Sequence, residues 1–262
     1  MSSSIGKSFD YLNTAAELTS NIAAALQNHI AARTAIRDYI INGDEKRYGE
    51  VAQLNSQAIE ILEEANLLVE KNGPLDAIHG FIASIREWGS LAQQVHDKFS
   101  GYQELIHAKV MTGFTALAQS VNTIFQINTS LTTAVVLDVQ MANVAIVSYL
   151  LKGEDHLTED AQRAIDSARE KIDQVMQSKI VIDPALQSLL TTLDAYEADF
   201  RTAVDSRKDA YNFFQEKLAP LGAKIHVDIE NYQNKLIDIQ EGINDLKILN
   251  DSRKKNKNPP IH

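Results

Sequence analysis

The chain of 262 residues contains no cysteine, which excludes disulfides, thiolate zinc sites and cysteine nucleophiles. Proline and glycine are scarce, with 5 and 11 copies, and no proline occurs between Pro74 and Pro184. This scarcity argues against a turn-rich β protein and favours long helices. Basic residues are also fewer than acidic ones, 25 against 35. Because the net charge is −10, the chain is poorly suited to bind phosphates, and we expect no nucleic-acid partner.

Motifs of catalysis and of membrane insertion are missing too. The sequence has no glycine-rich phosphate loop, no His-Glu-x-x-His pair and no two histidines four residues apart, so we expect no enzyme, cofactor or metal site. No apolar run near the N-terminus could serve as a signal peptide. Nor is there a charge-free stretch of about 20 apolar residues, so we expect a soluble chain.

What the sequence does have is helical periodicity. Apolar residues recur every three or four positions, the spacing of one face of an α-helix. The first run starts at Phe9 and stops near Gly43, which suits a left-handed C-cap, and Asp44 can cap the next helix. The second run is closed by Asn72-Gly73-Pro74, a strong helix stop.

The end of the third run is ambiguous. It begins after Pro74, and its turn could lie either at Gly113 or at the polar cluster Asn128-Thr129-Ser130. A repeat in the sequence favours Gly113. We therefore expect the third helix to end there.

The chain repeats itself with a period near 110 residues. Both copies of the clearest motif read Ala-Ile-x-x-Tyr, two aliphatic residues, a variable residue, Gly and an acid. We infer two copies of a three-helix unit, one of about 1–113 and one of about 114–223, followed by a helix to about Leu249 and a polar disordered tail, 253–262. The matching pairs are 33–44 with 143–154, 109–113 with 217–222, and Trp88 with Tyr196.

These motifs resemble the helical bimodular sensor domain of bacterial chemoreceptors and related sensor kinases. The resemblance is carried by residues 35–44, their second copy 145–154 and residues 217–225. It implies an all-α, six-helix rod made of two stacked bundles over residues 1–252, acting as the periplasmic portion of an inner-membrane receptor such as a methyl-accepting chemotaxis protein. Such a domain binds small molecules, works as a homodimer, is anchored by flanking membrane helices absent from this chain, and signals by helix displacement.

Polar residues on apolar stripes are the candidate ligand-binding residues, because a buried charge needs a partner or a ligand. His29 and Arg33 lie one turn apart on the first helix, and Asn143 occupies the position of Arg33 in the second copy. If the copies meet, Arg33 and Asn143 could line one pocket whose donors suit a carboxylate. The alternative is a structural ion pair from Arg33 to Asp38 or another acid, together with a histidine satisfied within the core.

Arg207, on the stripe of the last helix, is the candidate for a second anion site. Its alternative is a boundary arginine whose stem packs while its head reaches water. Members of the family that bind dicarboxylates use arginines near the start of the first helix, and this chain has none before Arg33. This difference argues against a dicarboxylate and leaves an amine or an aromatic acid open, so we expect the ligand to be a small organic acid or an amine. Trp88 fits a core position better than a ligand cage.

A different class of protein also fits part of the pattern. Between Lys109 and Lys152 the only charged residue is Asp138, so the segment around 110–151 could insert into a membrane, as in a helical pore-forming toxin. Asp138 and other polar residues oppose insertion, and the repeat has no role in a toxin. A purely structural helical adaptor is a third possibility, and it predicts no cavity.

Overall fold

The computed structural model describes residues 2–70, 77–125, 129–178 and 184–257. Within these ranges 98% of the residues are helical, none is in a strand, and the predicted all-α fold of six helices is confirmed. The third and sixth helices each contain one wider π-helical turn. The helices are α1 (Ser2–Asn42), α2 (Glu45–Glu70), α3 (77–125, with its π turn at Ile106–Val110), α4 (Thr129–Lys152), α5 (His156–Ser178) and α6 (184–257, with its π turn at Phe214–Leu218).

The turns after α1 and α4 are built in the same way. Gly43 and Gly153 both have positive φ, 67° and 72°. Each glycine N–H donates a 2.7 Å hydrogen bond to the carbonyl oxygen of the tyrosine four residues earlier, Tyr39 or Tyr149, as in a left-handed C-cap. The Asp44 carboxylate accepts a 3.0 Å hydrogen bond from the backbone N–H two residues on. Both caps predicted at the first turn are confirmed.

We expect Gly43→Ala to lower the free energy of unfolding by about 1 kcal/mol, because a Cβ disfavours left-handed backbone. Gly80→Ala is the matched control. Gly80 lies inside α3 with nothing within 4 Å of an added Cβ, so this change should instead stabilise by about 0.5–1 kcal/mol. Urea unfolding followed by circular dichroism measures both values, and equal signs for the two variants would contradict this explanation of the cap.

The predicted end of the third helix at Gly113 is wrong. Helix α3 continues to Phe125 and α4 begins at Thr129, so the chain breaks beside the polar cluster, of which Asn128 lies outside the described residues. Gly113 has another role. A Cβ there would lie 3.2 Å from Cδ2 of Tyr196, so the glycine allows α3 and α6 to approach closely.

The π turn of α6 has a local cause. The N–H of Ala219 donates to the carbonyl of Phe214, five residues back, and Pro220 follows directly. Proline has no N–H, and its ring clashes with the carbonyl four residues earlier, which favours a wider turn here. The π turn of α3 begins 108 residues earlier in the chain. It overlaps residues 109–113, the segment that matches 217–222 in the sequence repeat.

By its internal contacts the chain divides into two compact units. Unit 1 comprises Met1–His96 with Asn212–His262, and unit 2 comprises Asp97–Tyr211. These boundaries differ from those of the sequence copies. Helix α6 also continues past the predicted end at Leu249 to Lys257, so the first residues of the predicted tail are helical, and 258–262 lie outside the described residues.

Unit 1 buries one apolar face from each of its four helical segments. Helix α1 packs against α2 and, antiparallel, against the last part of α6. The antiparallel direction follows from two contacts: Gln240 donates to Thr19 Oγ1 at 3.3 Å, and His29 Nε2 lies 3.3 Å from the Gly222 carbonyl oxygen. The start of α1 and the end of α6 therefore lie at the same end of unit 1. The largest buried side chains of its core are Ile22, Ile36, Tyr39, Leu62, Ile78, Ile85 and Trp88.

Unit 2 contains α4, α5 and segments of α3 and α6. Its buried charges are paired: Asp138, 7% exposed, receives a 2.5 Å hydrogen bond from Lys171, and Glu197, 8% exposed, lies between Arg169 and Arg201. Asp138, which interrupts the apolar stretch of the sequence, is thus satisfied within the unit. The largest fully buried side chains of unit 2 are Leu117, Ile124, Ile146, Tyr149 and Tyr196.

Candidate functional site

His29 lies in the core of unit 1, with 0% of its surface exposed. Its Nε2 faces the Gly222 carbonyl oxygen at 3.3 Å, and its ring meets the Trp88 ring edge-on with centroids 5.0 Å apart. Burial lowers the pKa of His29 to about 4, and the charges of Arg33 and His226 act in the same direction. The imidazole is therefore neutral at neutral pH, and its Nε2 donates to the carbonyl.

Arg33 lies one turn further along α1 and is half-buried. Burial lowers the pKa of its guanidinium, and the charge of Arg37 adds to this effect. The structural partner considered for Arg33, Asp38, lies 3.7 Å from Arg47 instead. Among the residues that the structure describes, no carboxylate pairs with Arg33. The guanidinium is partly desolvated, and such a group is costly without a counter-ion, which none of the described residues supplies.

Next to Arg33, the indole N–H of Trp88 is a second buried hydrogen-bond donor. The residue is 1% exposed, and its indole N–H has no hydrogen-bond partner within the described ranges. A Cβ on Gly222 would lie 2.8 Å from Trp88 Nε1 and 3.0 Å from Arg33 Nε, so the absence of a side chain at Gly222 makes room for both groups. His29 Nδ1 is also buried, and no described residue hydrogen-bonds to it. We call His29, Arg33, Arg37, Trp88 and Gly222 the Gly222 cluster.

A small cavity borders this cluster. Its volume is about 10 Å³, the space of a single water molecule. Residues of α1 and Trp88 of α3 line one side of it, and α6 lines the other side in and just after its π turn. The lining residues are Arg33, Ile36, Arg37, Trp88, Phe214, Leu218 and Ala219. Any larger ligand must therefore widen the space between α1, α3 and α6.

Sequence reasoning missed three members of the cluster, Arg37, Trp88 and Gly222. Arg37 was not singled out, although it lies one turn after Arg33 with no acid to separate the two positive charges on that face. Trp88 was assigned to the core, where it does lie, but its polar N–H was not considered. The spacing of the two arginines was the only available signal, since Gly222 is 193 residues away from His29 in the chain.

Asn143 belongs to unit 2, whereas Arg33 belongs to unit 1. The Asn143 side chain is half-buried, and its Oδ1 accepts a 3.4 Å hydrogen bond from the Tyr196 hydroxyl. That bond gives the amide a partner within its own unit. A pocket lined by both Arg33 and Asn143 stays a prediction.

Arg207, a residue of α6, is half-buried and lies against the C-terminal end of α4. Its Cζ lies 5.4 Å from the centre of the Tyr149 ring, and a Cβ on Gly153 would lie 1.8 Å from its Nη1. A cation at a helix C-terminus is stabilised by the helix dipole. In unit 1 the corresponding helix end is that of α1 at Gly43. A basic residue lies near it as well: His96 binds Glu45, the first residue of α2, at 2.9 Å. This arrangement favours the boundary role of Arg207 over a second anion site.

Comparison with models of known protein families gives no match, and comparison with curated proteins gives none either. Within the described ranges, no group of three or more histidine, aspartate or glutamate side chains could hold a metal ion. The part of α4 from Thr133 to Lys152 is long and apolar enough to cross a membrane by length and composition, with a mean hydropathy of 1.8, and 39% of it is buried.

Proposed function

We propose that this chain is the extracytoplasmic, ligand-sensing domain of a transmembrane receptor, such as a methyl-accepting chemotaxis protein, and that it binds a small organic acid at the Gly222 cluster. The observation that carries the proposal is the pair formed by Arg33 and Trp88. Among the described residues, the half-buried guanidinium has no carboxylate partner and the buried indole N–H beside it has no acceptor. A carboxylate supplies what both groups lack.

The charge of the cluster selects among the ligand classes left open by the sequence. Arg33 and Arg37 place two positive charges one helical turn apart, and His29 and Trp88 add no negative charge. An amine would be repelled here, whereas an organic acid would be attracted. The indole of Trp88 favours an aromatic acid, because ring stacking would add to the charge-assisted hydrogen bonds.

The arrangement of helices around the cluster suits transmission by helix displacement. Since the resting cavity holds about one water, a ligand must separate α1 from α6 near the π turn. Both helices continue from the cluster to the same end of unit 1, as the contact between Thr19 and Gln240 indicates. Sliding or tightening of packed helices, with a coupling of about 1–3 kcal/mol, could carry the signal towards the membrane helices of a homodimeric receptor.

A ligand screen by thermal shift tests the proposal. Sodium benzoate, acetate and succinate are compared with ethanolamine and with sodium chloride at equal ionic strength. We expect at least one acid to raise the melting temperature, and Arg33→Gln to weaken this effect about tenfold in ligand concentration, since a charge-assisted hydrogen bond is lost.

Arg86→Gln is the matched control for this screen. Arg86 is an exposed arginine on α3 that binds Glu63 at 2.6 Å, away from the cluster. It should respond to the acids as the wild type does. Stabilisation by ethanolamine alone, an unchanged response in Arg33→Gln, or no response to any acid would contradict the proposal.

The pore-forming toxin remains a second candidate because of the apolar segment Thr133–Lys152. Insertion of that segment would carry the Asp138 carboxylate into the membrane and separate it from Lys171, at a cost of about 2.5–3.5 kcal/mol for the carboxylate at the centre of the bilayer. Release of a dye from phosphatidylcholine liposomes distinguishes the two functions. A sensor domain releases none, and a toxin releases dye in proportion to its concentration.

A further inference from the structure

Positions of the Gly222 cluster have counterparts in unit 2. The sequence repeat gives the matched pairs His29 with Val139, Arg33 with Asn143, Trp88 with Tyr196, and Gly222 with Gly113. The first member of each pair belongs to unit 1 and the second to unit 2. Burial follows the same pattern, since both aromatic residues are 1% exposed and the residue at the arginine position is half-buried in each unit. We call Gly113, Val139, Asn143 and Tyr196 the Gly113 cluster.

The two clusters are packed in the same way around their glycines. A Cβ on Gly222 would lie 2.8 Å from Trp88, and a Cβ on Gly113 would lie 3.2 Å from Tyr196. Each glycine follows the π turn of its helix by three or four residues. In both units, therefore, an aromatic ring lies against a helix just after a π turn, at a place where a larger residue than glycine would collide with it.

The polar groups of the two clusters differ. In unit 2 the Tyr196 hydroxyl donates to Asn143 Oδ1 at 3.4 Å, so the neighbouring side chain supplies its acceptor. In unit 1 the indole N–H of Trp88 has no acceptor among the described residues, and the guanidinium of Arg33 contains donors only. None of the four members of the Gly113 cluster is charged. Unit 2 thus holds the acceptor that unit 1 is missing, and its cluster lacks the cation of unit 1.

We propose that the Gly113 cluster is a closed copy of the ligand site, in which the Asn143 carboxamide takes the place of the ligand's carboxylate. The residues at these two matched positions decide which unit responds to an acid: Arg33 and Trp88 bind it, whereas Asn143 and Tyr196 satisfy each other. The chain accordingly binds one organic acid, in unit 1. This inference rests on the proposed function and deepens it by naming the residues that confine binding to one unit.

The cost of binding in unit 2 supports this division. An acid entering the Gly113 cluster would have to separate Tyr196 from Asn143, and its carboxylate would lose water without gaining a cationic partner there. At the Gly222 cluster the same carboxylate gains charge-assisted hydrogen bonds from Arg33, which are stronger than bonds between neutral groups. The acid therefore prefers unit 1.

Equilibrium dialysis with radiolabelled benzoate, acetate and succinate counts the acid molecules bound per chain. We expect one per chain at saturation. Trp88→Phe and Tyr196→Phe are matched variants, because each places phenylalanine at the same position of its unit. Trp88→Phe should weaken binding about 2–10-fold through loss of a hydrogen bond, and Tyr196→Phe should bind one acid with the affinity of the wild type. Two acids per chain, or weaker binding in Tyr196→Phe, would overturn the inference while the proposed function stands.

A measurement without ligand tests the closure of unit 2. Tyr196→Phe and Asn143→Ala are combined in a double-mutant cycle of urea unfolding, followed by circular dichroism. The two changes should be coupled about 2–10-fold in the equilibrium constant of unfolding, because a hydrogen bond joins the two side chains. Additive effects would overturn the inference. Failure of all three acids to bind would instead overturn the proposed function, and with it the assignment of the site to unit 1, so the two failures are distinguishable.

Discussion

Lowering the pH from about 6.5 to about 4 should reduce the free energy of unfolding by up to about 3 kcal/mol through His29 alone. The unfolded histidine has a pKa of 6.5, whereas burial lowers the pKa in the folded protein to about 4. Between these values the unfolded chain binds a proton that the folded chain does not, so stability falls as the pH falls. Above pH 6.5 the contribution is fully present, and below pH 4 it is lost.

Comparison with two variants isolates this contribution. His29→Gln removes the titrating group from the core, and His79→Gln removes an exposed histidine of unit 1. Urea unfolding at pH 7 and at pH 4.5, followed by circular dichroism, gives the difference in stability for each protein. His79→Gln should lose as much stability as the wild type, and His29→Gln should lose about 2–3 kcal/mol less. An equal loss in all three proteins would show that His29 is not buried as a neutral ring.

Replacing Trp88 by alanine should lower the free energy of unfolding by about 3–5 kcal/mol, the usual cost of removing a large aromatic side chain from a core. The residue is 1% exposed and packs against His29 on α1 and Gly222 on α6, so the cavity would lie where three helices meet. Urea unfolding measures this loss.

Trp88→Phe separates packing from hydrogen bonding. It retains much of the aromatic volume but loses part of the bicyclic ring together with the indole N–H, which has no acceptor within the described residues. We expect a loss of stability of less than about 1.5 kcal/mol, together with a clearly weaker thermal shift by organic acids. If Trp88→Phe responds to the acids as the wild type does, the indole N–H is not part of the site.

Local sequence signals predicted the helices and their caps well, because those depend on neighbouring residues. Gly43 and Asp44 cap the turn between α1 and α2, and the periodicity placed His29 on the inner face of α1. Gly113 misled the prediction because a glycine serves two purposes, helix termination and close approach of helices. At Gly113 the deciding contact is with Tyr196, which lies in another helix and cannot be identified from the sequence around the glycine.

The Gly222 cluster could be predicted only in part, for a similar reason. The positions of His29 and Arg33 follow from one helical stripe, but their contacts come from Trp88 and Gly222 on two other helices. Asp38, the acid considered as a partner of Arg33, lies 3.7 Å from Arg47, beyond the turn. Contacts between distant segments depend on packing, which no local pattern encodes.

The exposed side of α4 could not be predicted from hydropathy. The apolar sequence of Thr133–Lys152 is equally consistent with a core helix, a membrane helix and an interface. Packing against α5 buries one side of α4 and leaves Leu137, Met141 and Val144 exposed. The exposed stripe could not be read from composition, since both sides of the helix are apolar.

Trp88 is the only tryptophan of the chain, so its fluorescence reports directly on the Gly222 cluster. The most direct test of the sensing function is a titration of that fluorescence with sodium benzoate, acetate and succinate against sodium chloride. We predict a saturable change with at least one acid in the wild type, and about tenfold weaker binding in Arg33→Gln. A signal that never saturates with any acid, or saturates equally in Arg33→Gln, would contradict ligand sensing at this site.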